Sequence, residues 1–147
     1  MNANADERPD LAVATEANRV ALFFADGAPG KFVRKGDLAT EGAPNTAVAN
    51  GDLNRDGEDD LAIATGEPGK ISVVPNYREP STVGVGGQPR SVAIGDLNAD
   101  GRPDIADANG DSDNVQVLLA AGKEGGFTNR PVSKTSAALR SQLRSAT

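Results

Sequence analysis

The sequence has 147 residues, of which 37% are hydrophobic and only 3% aromatic, and it carries a net charge of −6. Phosphate binding needs a concentrated basic surface and a bilayer span needs roughly eighteen consecutive apolar residues, so we expect neither a nucleic-acid partner nor a membrane span. The lack of cysteine and histidine excludes a disulfide framework, a zinc site built on these residues and a Ser-His-Asp triad within the chain.

Short segments that alternate apolar and polar residues follow one another along the chain, separated by Gly, Asn or Pro. Alternation with a period of two over five or six residues is typical of β-strands. In chain order the predicted strands lie within 10–15, 19–24 and 30–35, then 45–53, 60–65, 70–75 and 81–86, then 89–97, 104–109, 114–119 and 125–130.

A repeat organises these segments. The stretch GDLNRDGEDDLAIAT begins at Gly51, and GDLNADGRPDIADAN begins at Gly95. Their first aspartates lie 44 positions apart, and a third, degenerate copy, NADERPDLAVAT, begins at Asn4. A period of about 44 to 50 residues with four strands per unit is typical of a propeller blade. The sequence therefore predicts an all-β fold of about three β-propeller blades of four antiparallel strands, over 1–44, 45–88 and 89–133, with the first blade lacking its first strand. The alternative is a β-sandwich whose hairpins are alike.

The two intact copies place oxygen-bearing side chains at positions 1, 3, 5 and 9 of a loop, with Gly57 or Gly101 at position 6. Calcium prefers six to eight oxygen ligands, which include carboxylates, amides and backbone carbonyls. The variable residue at position 7 is expected to contribute its backbone carbonyl. The predicted metal ligands are Asp52, Asn54, Asp56, Glu58 and Asp60 in the first loop, and Asp96, Asn98, Asp100, Arg102 and Asp104 in the second.

Three carboxylates around one point repel each other unless a cation lies between them, which favours a metal over a plain Asp/Asn/Gly turn. Magnesium fits less well because it demands strict octahedral geometry. An EF-hand would have a bidentate Glu at position 12, where this chain has Ile63 and Asp107. Calcium is therefore the predicted cofactor.

The N-terminal copy departs from this pattern. It offers Asn2, Asn4, Asp6 and Asp10, and Glu7 stands where the other loops have glycine. With fewer charges and a hindered turn, this copy is expected to bind metal weakly or not at all.

These loop segments resemble the calcium loops of FG-GAP/VCBS repeats, which form the blades of integrin alpha-subunit propellers and of many bacterial secreted or surface proteins. The resemblance covers roughly residues 1–133. It implies calcium held between the first two strands of a blade, and an extracellular or cell-surface location. The first residues, MNANADERPD, lack the basic and apolar regions of a signal peptide.

Propellers of this family close with about five to eight blades, whereas this sequence has about three. A set of three blades exposes an apolar face at each end, so we expect either a longer parent protein or ring closure by association. A head-to-tail homodimer giving six blades is the simplest closure. The tail, residues 134–147, is expected to form a closing strand or a short helix.

The functional prediction is a non-catalytic, calcium-stabilised module for binding or adhesion, with an extracellular protein or glycan as ligand. A self-assembling propeller fragment, natural or engineered, is the alternative. A lectin or a calcium-dependent polysaccharide lyase is less favoured, because Trp is absent, Tyr77 stands alone, and the acid pair Asp111 and Asp113 lies in a predicted turn. No catalytic residues are predicted.

Overall fold

A computed structural model describes residues 1, 6–41, 44–67, 69–78, 80–121 and 126–132, and these residues form three antiparallel sheets. The strands are β1 (Leu11–Ala14), β2 (Arg19–Ala25), β3 (Phe32–Ala39), β4 (Asn45–Gly51), β5 (Asp60–Thr65), β6 (Lys70–Val74), β7 (Ser81–Gly84), β8 (Pro89–Gly95), β9 (Asp104–Asn109), β10 (Asn114–Ala121) and β11 (Gly126–Val132). A 3₁₀ turn at Pro75–Tyr77 follows β6.

Each sheet is a meander in which consecutive strands are neighbours. Strands β1 to β3 form blade 1, β4 to β7 form blade 2, and β8 to β11 form blade 3. The prediction of an all-β fold built from antiparallel, blade-like sheets is confirmed, with a three-stranded first sheet among the described residues. Ring closure stays a prediction, and the tail at 134–147 lies outside the described residues.

Blade 2 packs on blade 3 through one of its two faces. Ala62 and Ile71 of blade 2 share a core cluster with Ile105 and Leu118 of blade 3. Leu53 belongs to the same cluster, although it lies inside the loop that joins β4 to β5. The base of that loop is therefore anchored in the core between two blades.

The opposite face of blade 2 packs on blade 1. Leu61 and Ile63 form a second cluster with Val20 and Leu22. Because side chains alternate between the two faces of a strand, coverage on both sides buries all six residues of β5. Strand β1, which has a neighbouring blade on one side only among the described residues, alternates between exposed and half-buried positions.

Candidate cation-binding loops

Two loops of the same conformation join the first two strands of blades 2 and 3. Loop 1 spans 52–60 and loop 2 spans 96–104. Position 4 has a positive φ in both, 64° at Arg55 and 60° at Ala99. Position 6 is a glycine with φ of 92° at Gly57 and 77° at Gly101, a region that glycine enters without steric cost. The glycine predicted to reverse the chain does so.

The first aspartate of each loop points back into it. The carboxylate of Asp52 accepts hydrogen bonds from the backbone N–H groups of Asp56 and Gly57, each at 3.0 Å. Asp96 does the same for Asp100 at 3.2 Å and for Gly101 at 2.8 Å. These bonds curl the loop around its first side chain.

The side chains at positions 3 and 5 are joined to each other. Asn54 Oδ1 accepts from the backbone N–H of Asp56 at 2.9 Å, and Asn54 Nδ2 donates to Asp56 Oδ2 at 3.0 Å. Asn98 and Asp100 repeat both bonds at 2.9 and 3.0 Å. Positions 1, 3 and 5 therefore lie together at the exposed turn of each loop.

The aspartate at position 9 is placed differently, at the base of the loop. Asp60 is fully buried, and its Oδ2 accepts from the backbone N–H groups of Leu53 at 2.9 Å and Asn54 at 3.1 Å. Its Oδ1 accepts from the N–H of Asn76, just beyond β6, at 2.9 Å. Burial raises the pKa of Asp60, and these three N–H groups oppose the shift. Asp60 thus ties the loop to the end of the third strand of its blade.

This tie recurs in the other two blades. Asp104 accepts from the N–H of Leu97 at 3.0 Å and from that of Ala120 at 2.8 Å. Asp10, in the degenerate copy, accepts from the N–H of Ala25 at 2.9 Å. Sequence reasoning assigned this aspartate to the metal alone and missed its structural part, although its presence in all three copies was the available signal.

The two loops differ in what faces the carboxylate at position 5. Asp56 Oδ2 accepts from the neutral side chain of Asn76 at 2.9 Å, whereas Asp100 Oδ2 accepts from the Arg102 guanidinium at 2.9 Å. Arg102 is the main reason that the pKa of Asp100 is lowered to about 2. For Asp56 the main cause of a lowered pKa is the N–H of Glu58. The sequence predicted no part for the Arg102 side chain.

The chemistry of the donor set fits a hard cation, since carboxylates and amide oxygens are the ligands that calcium prefers. Within the described stretches, no three carboxylates already gather around one point. Asp52 and Asp56 lie at the exposed turn, whereas the Asp60 carboxylate lies at the base of the loop and accepts hydrogen bonds from backbone N–H groups. Glu58 and Arg102, at position 7, donate their backbone N–H groups to Asp56 and Asp100.

The degenerate loop is described only in part, because Asn2 and Asn4 lie outside the described residues. Glu7 has a φ of 64°, a left-handed conformation like that of Gly57 and Gly101. A side chain in this conformation is strained, which agrees with the predicted hindrance. Asp6 Oδ1 accepts from the backbone N–H of Arg8 at 3.0 Å.

Two overlapping matches to one family model decide the classification. The model described as FG-GAP-like repeat matches residues 2–63 and again residues 52–106, which together exceed half of the chain. The chain belongs to the FG-GAP-like repeat family. The first FG-GAP match contains the degenerate copy and loop 1, and the second contains loops 1 and 2. A search of curated proteins found no match.

Proposed function

We propose that this FG-GAP repeat chain is a calcium-stabilised, non-catalytic binding module of the extracellular space or cell surface. The observation that carries the proposal is that two loops, in different blades, share one backbone conformation and one set of oxygen donors. Calcium would be held by Asp52, Asn54 and Asp56, by the backbone carbonyl of Glu58, and by Asp60 at the base of the loop. In loop 2 the corresponding residues are Asp96, Asn98, Asp100, Arg102 and Asp104.

The ion would act by stabilising the native state, because calcium that binds only the folded chain raises the free energy of unfolding. The ion would also neutralise the negative charge of the carboxylates at the exposed turn of each loop. By analogy with the family, we propose that the ligand of the module is an extracellular protein or a glycan. No helix among the described residues is long and apolar enough to cross a membrane.

A calcium titration tests the proposal and also the difference in calcium affinity that we expect between the two loops. By isothermal calorimetry, we expect loop 1 to bind calcium more tightly than loop 2, because Arg102 already neutralises Asp100. Arg102→Glu, which copies Glu58 of loop 1, is expected to raise the affinity of loop 2 by about 3-fold to 10-fold. Replacing Asp52 and Asp56 together with Asn should remove the tighter site.

The matched control for that double variant is Glu16→Gln with Asp111→Asn, which removes two exposed charges far from loop 1. It should leave the tighter site intact. A site in loop 1 would be contradicted if the control and the Asp52/Asp56 variant released the same heat on addition of calcium. It would also be contradicted if neither variant and not even the unmodified chain released heat.

A second function, self-assembly, is supported by the two outer faces of the stack. On blade 1, Leu11 and Val13 are 44% and 43% exposed, and their counterparts in blade 2, Leu61 and Ile63, pack on a neighbouring blade. On blade 3, Val115 is 39% exposed on the face opposite the Ile105 cluster. Each outer face is thus the equivalent of a face that blade 2 buries, and we propose that a second copy covers them head to tail.

Light-scattering mass on a sizing column tests this association. We expect twice the mass of the chain at micromolar concentration. Leu11→Asp or Val115→Asp should return the mass to that of a monomer, because each places a charge in an apolar interface. Val33→Asp is the control, since Val33 is exposed on β3 but pairs with Phe24, on the side of blade 1 that faces blade 2. A monomeric unmodified chain would rule out closure by this chain alone.

A further inference from the structure

A cluster of buried oxygen atoms without hydrogen-bond partners lies in blade 3, away from both loops. Asp107, Asn109 and Gln116 are 1%, 4% and 7% exposed. Both carboxylate oxygens of Asp107, Oδ1 of Asn109 and Oε1 of Gln116 have no hydrogen-bond partner. Most buried polar atoms in proteins are paired, so four unpaired oxygens in one place require a physical explanation.

The strand register brings these side chains together. Asp107 on β9 is directly opposite Gln116 on β10, and Asn109 lies two residues further along β9 on the same face. That face also carries Ile105, which packs against blade 2. The cluster therefore lies in the interface between blades 2 and 3, where blade 2 has an apolar residue, Ile63, at the position of Asp107.

The link between the two blades brings glycines close to two of these three side chains, Asn109 and Gln116. A methyl group added at Gly87 would come within 3.0 Å of the Asn109 side chain, and one added at Gly86 within 3.9 Å of Gln116 Nε2. Asn109 Nδ2 donates to Asn114 Oδ1 at 3.1 Å, which leaves Asn109 Oδ1 as the free acceptor. Glycine at these positions permits the backbone to approach the polar side chains closely.

The charge of Asp107 is uncompensated within the described part of the chain. No Lys or Arg there forms an ion pair with it. Its strand neighbours are Val92 and Gln116, neither of which titrates. Burial raises the pKa of Asp107 to about 6, and the Asn109 amide, which lies near the carboxylate but outside hydrogen-bond geometry, opposes that shift. Asp107 is therefore ionised above neutral pH, and a buried ionised carboxylate is costly unless it is paired.

We propose that Asp107, Asn109 and Gln116 form a buried site for a small monovalent cation, sodium or potassium, between blades 2 and 3. All four unpaired atoms are acceptors, so they suit a cation. A single carboxylate balances a single positive charge, whereas calcium sites gather more oxygen ligands and several carboxylates. The site differs in residues, burial and charge from the two loops, and it does not depend on the function proposed above.

Thermal unfolding at about pH 8 tests the site, because Asp107 is then ionised. The chain is compared in sodium, potassium and choline chloride at equal ionic strength, with a chelator present. We expect the melting temperature to be about 3 °C or more higher in sodium or potassium than in the bulky choline. Asp107→Ile, which copies Ile63, should abolish the difference, and so should the nearly isosteric Asp107→Asn if the isoleucine variant fails to fold.

Three other results would overturn the proposal. If the melting temperature is the same in all three salts but rises as the pH falls through about 6, a proton on Asp107 satisfies the cluster instead. If neither the salt nor the pH changes the melting temperature, water satisfies the unpaired oxygens. Because both loops are unchanged in the Asp107 variants, a salt effect that survives in them belongs to the loops and also rejects the site.

Discussion

Replacing Asp60 with alanine is expected to lower the free energy of unfolding by about 3 kcal/mol, even in the presence of chelator. The carboxylate accepts three backbone hydrogen bonds, from Leu53, Asn54 and Asn76. A buried donor that loses its acceptor costs about 1–3 kcal/mol. The bond from Leu53 is buried and the other two are partly buried, so water replaces the lost acceptor only in part. Removing the burial cost of the charge offsets some of the loss.

The control for this prediction is Asp52→Ala in the same loop. Asp52 also accepts two backbone hydrogen bonds, but both are exposed, so water can replace them. Its loss should stay below about 1 kcal/mol in chelator. Urea unfolding measures both variants. Equal losses would mean that Asp60 is no more than a turn former, and a loss at Asp60 seen only with calcium would assign the residue to the metal alone.

Replacing Gly69 with alanine is expected to lower the free energy of unfolding by at least about 2 kcal/mol. Gly69 has a φ of 62°, and a methyl group there would overlap the backbone carbonyl oxygen of Gly87. Its own carbonyl accepts from the N–H of Val85 at 2.9 Å. The overlap is with backbone, so it can be relieved only by moving the link between blades 2 and 3 or the turn that carries Gly69.

Gly84→Ala is the matched control, because Gly84 has no atom within 4 Å of the added methyl group and its φ is not positive. It should change the free energy of unfolding by no more than about 0.5 kcal/mol. Urea midpoints and slopes of the two variants give the comparison. A Gly69 variant as stable as the Gly84 variant would show that the contact with Gly87 relaxes freely.

The chain's strands and loops could be predicted because their causes are local. Alternation of apolar and polar residues predicted each strand of the three sheets, since side chains of a strand alternate between its faces. The glycines at positions 57 and 101 predicted the reversal of both loops, because the left-handed conformation favours glycine. The period of the repeat predicted that the loops would share one geometry, which their hydrogen bonds confirm.

The parts assigned to individual carboxylates depend on contacts between distant residues. Asp60 and Asp104 look like further loop ligands in the sequence, yet each accepts a hydrogen bond from a backbone group sixteen positions later in the chain. Arg102 looks like a variable surface residue, yet its guanidinium faces Asp100. Spacing along the chain does not specify which donors the folded backbone brings to an oxygen.

The sequence by itself determined the all-β class, the repeat and the positions of the oxygen donors, because these follow from local periodicity and turn chemistry. Only the tertiary structure decided which face of each strand is covered. Alternation provides two faces, but the stacking of blades buries both faces of blade 2 and leaves Leu11 and Val115 exposed at the ends. The same stacking encloses Asp107, since burial is a property of the neighbouring blade and not of the strand that carries the residue.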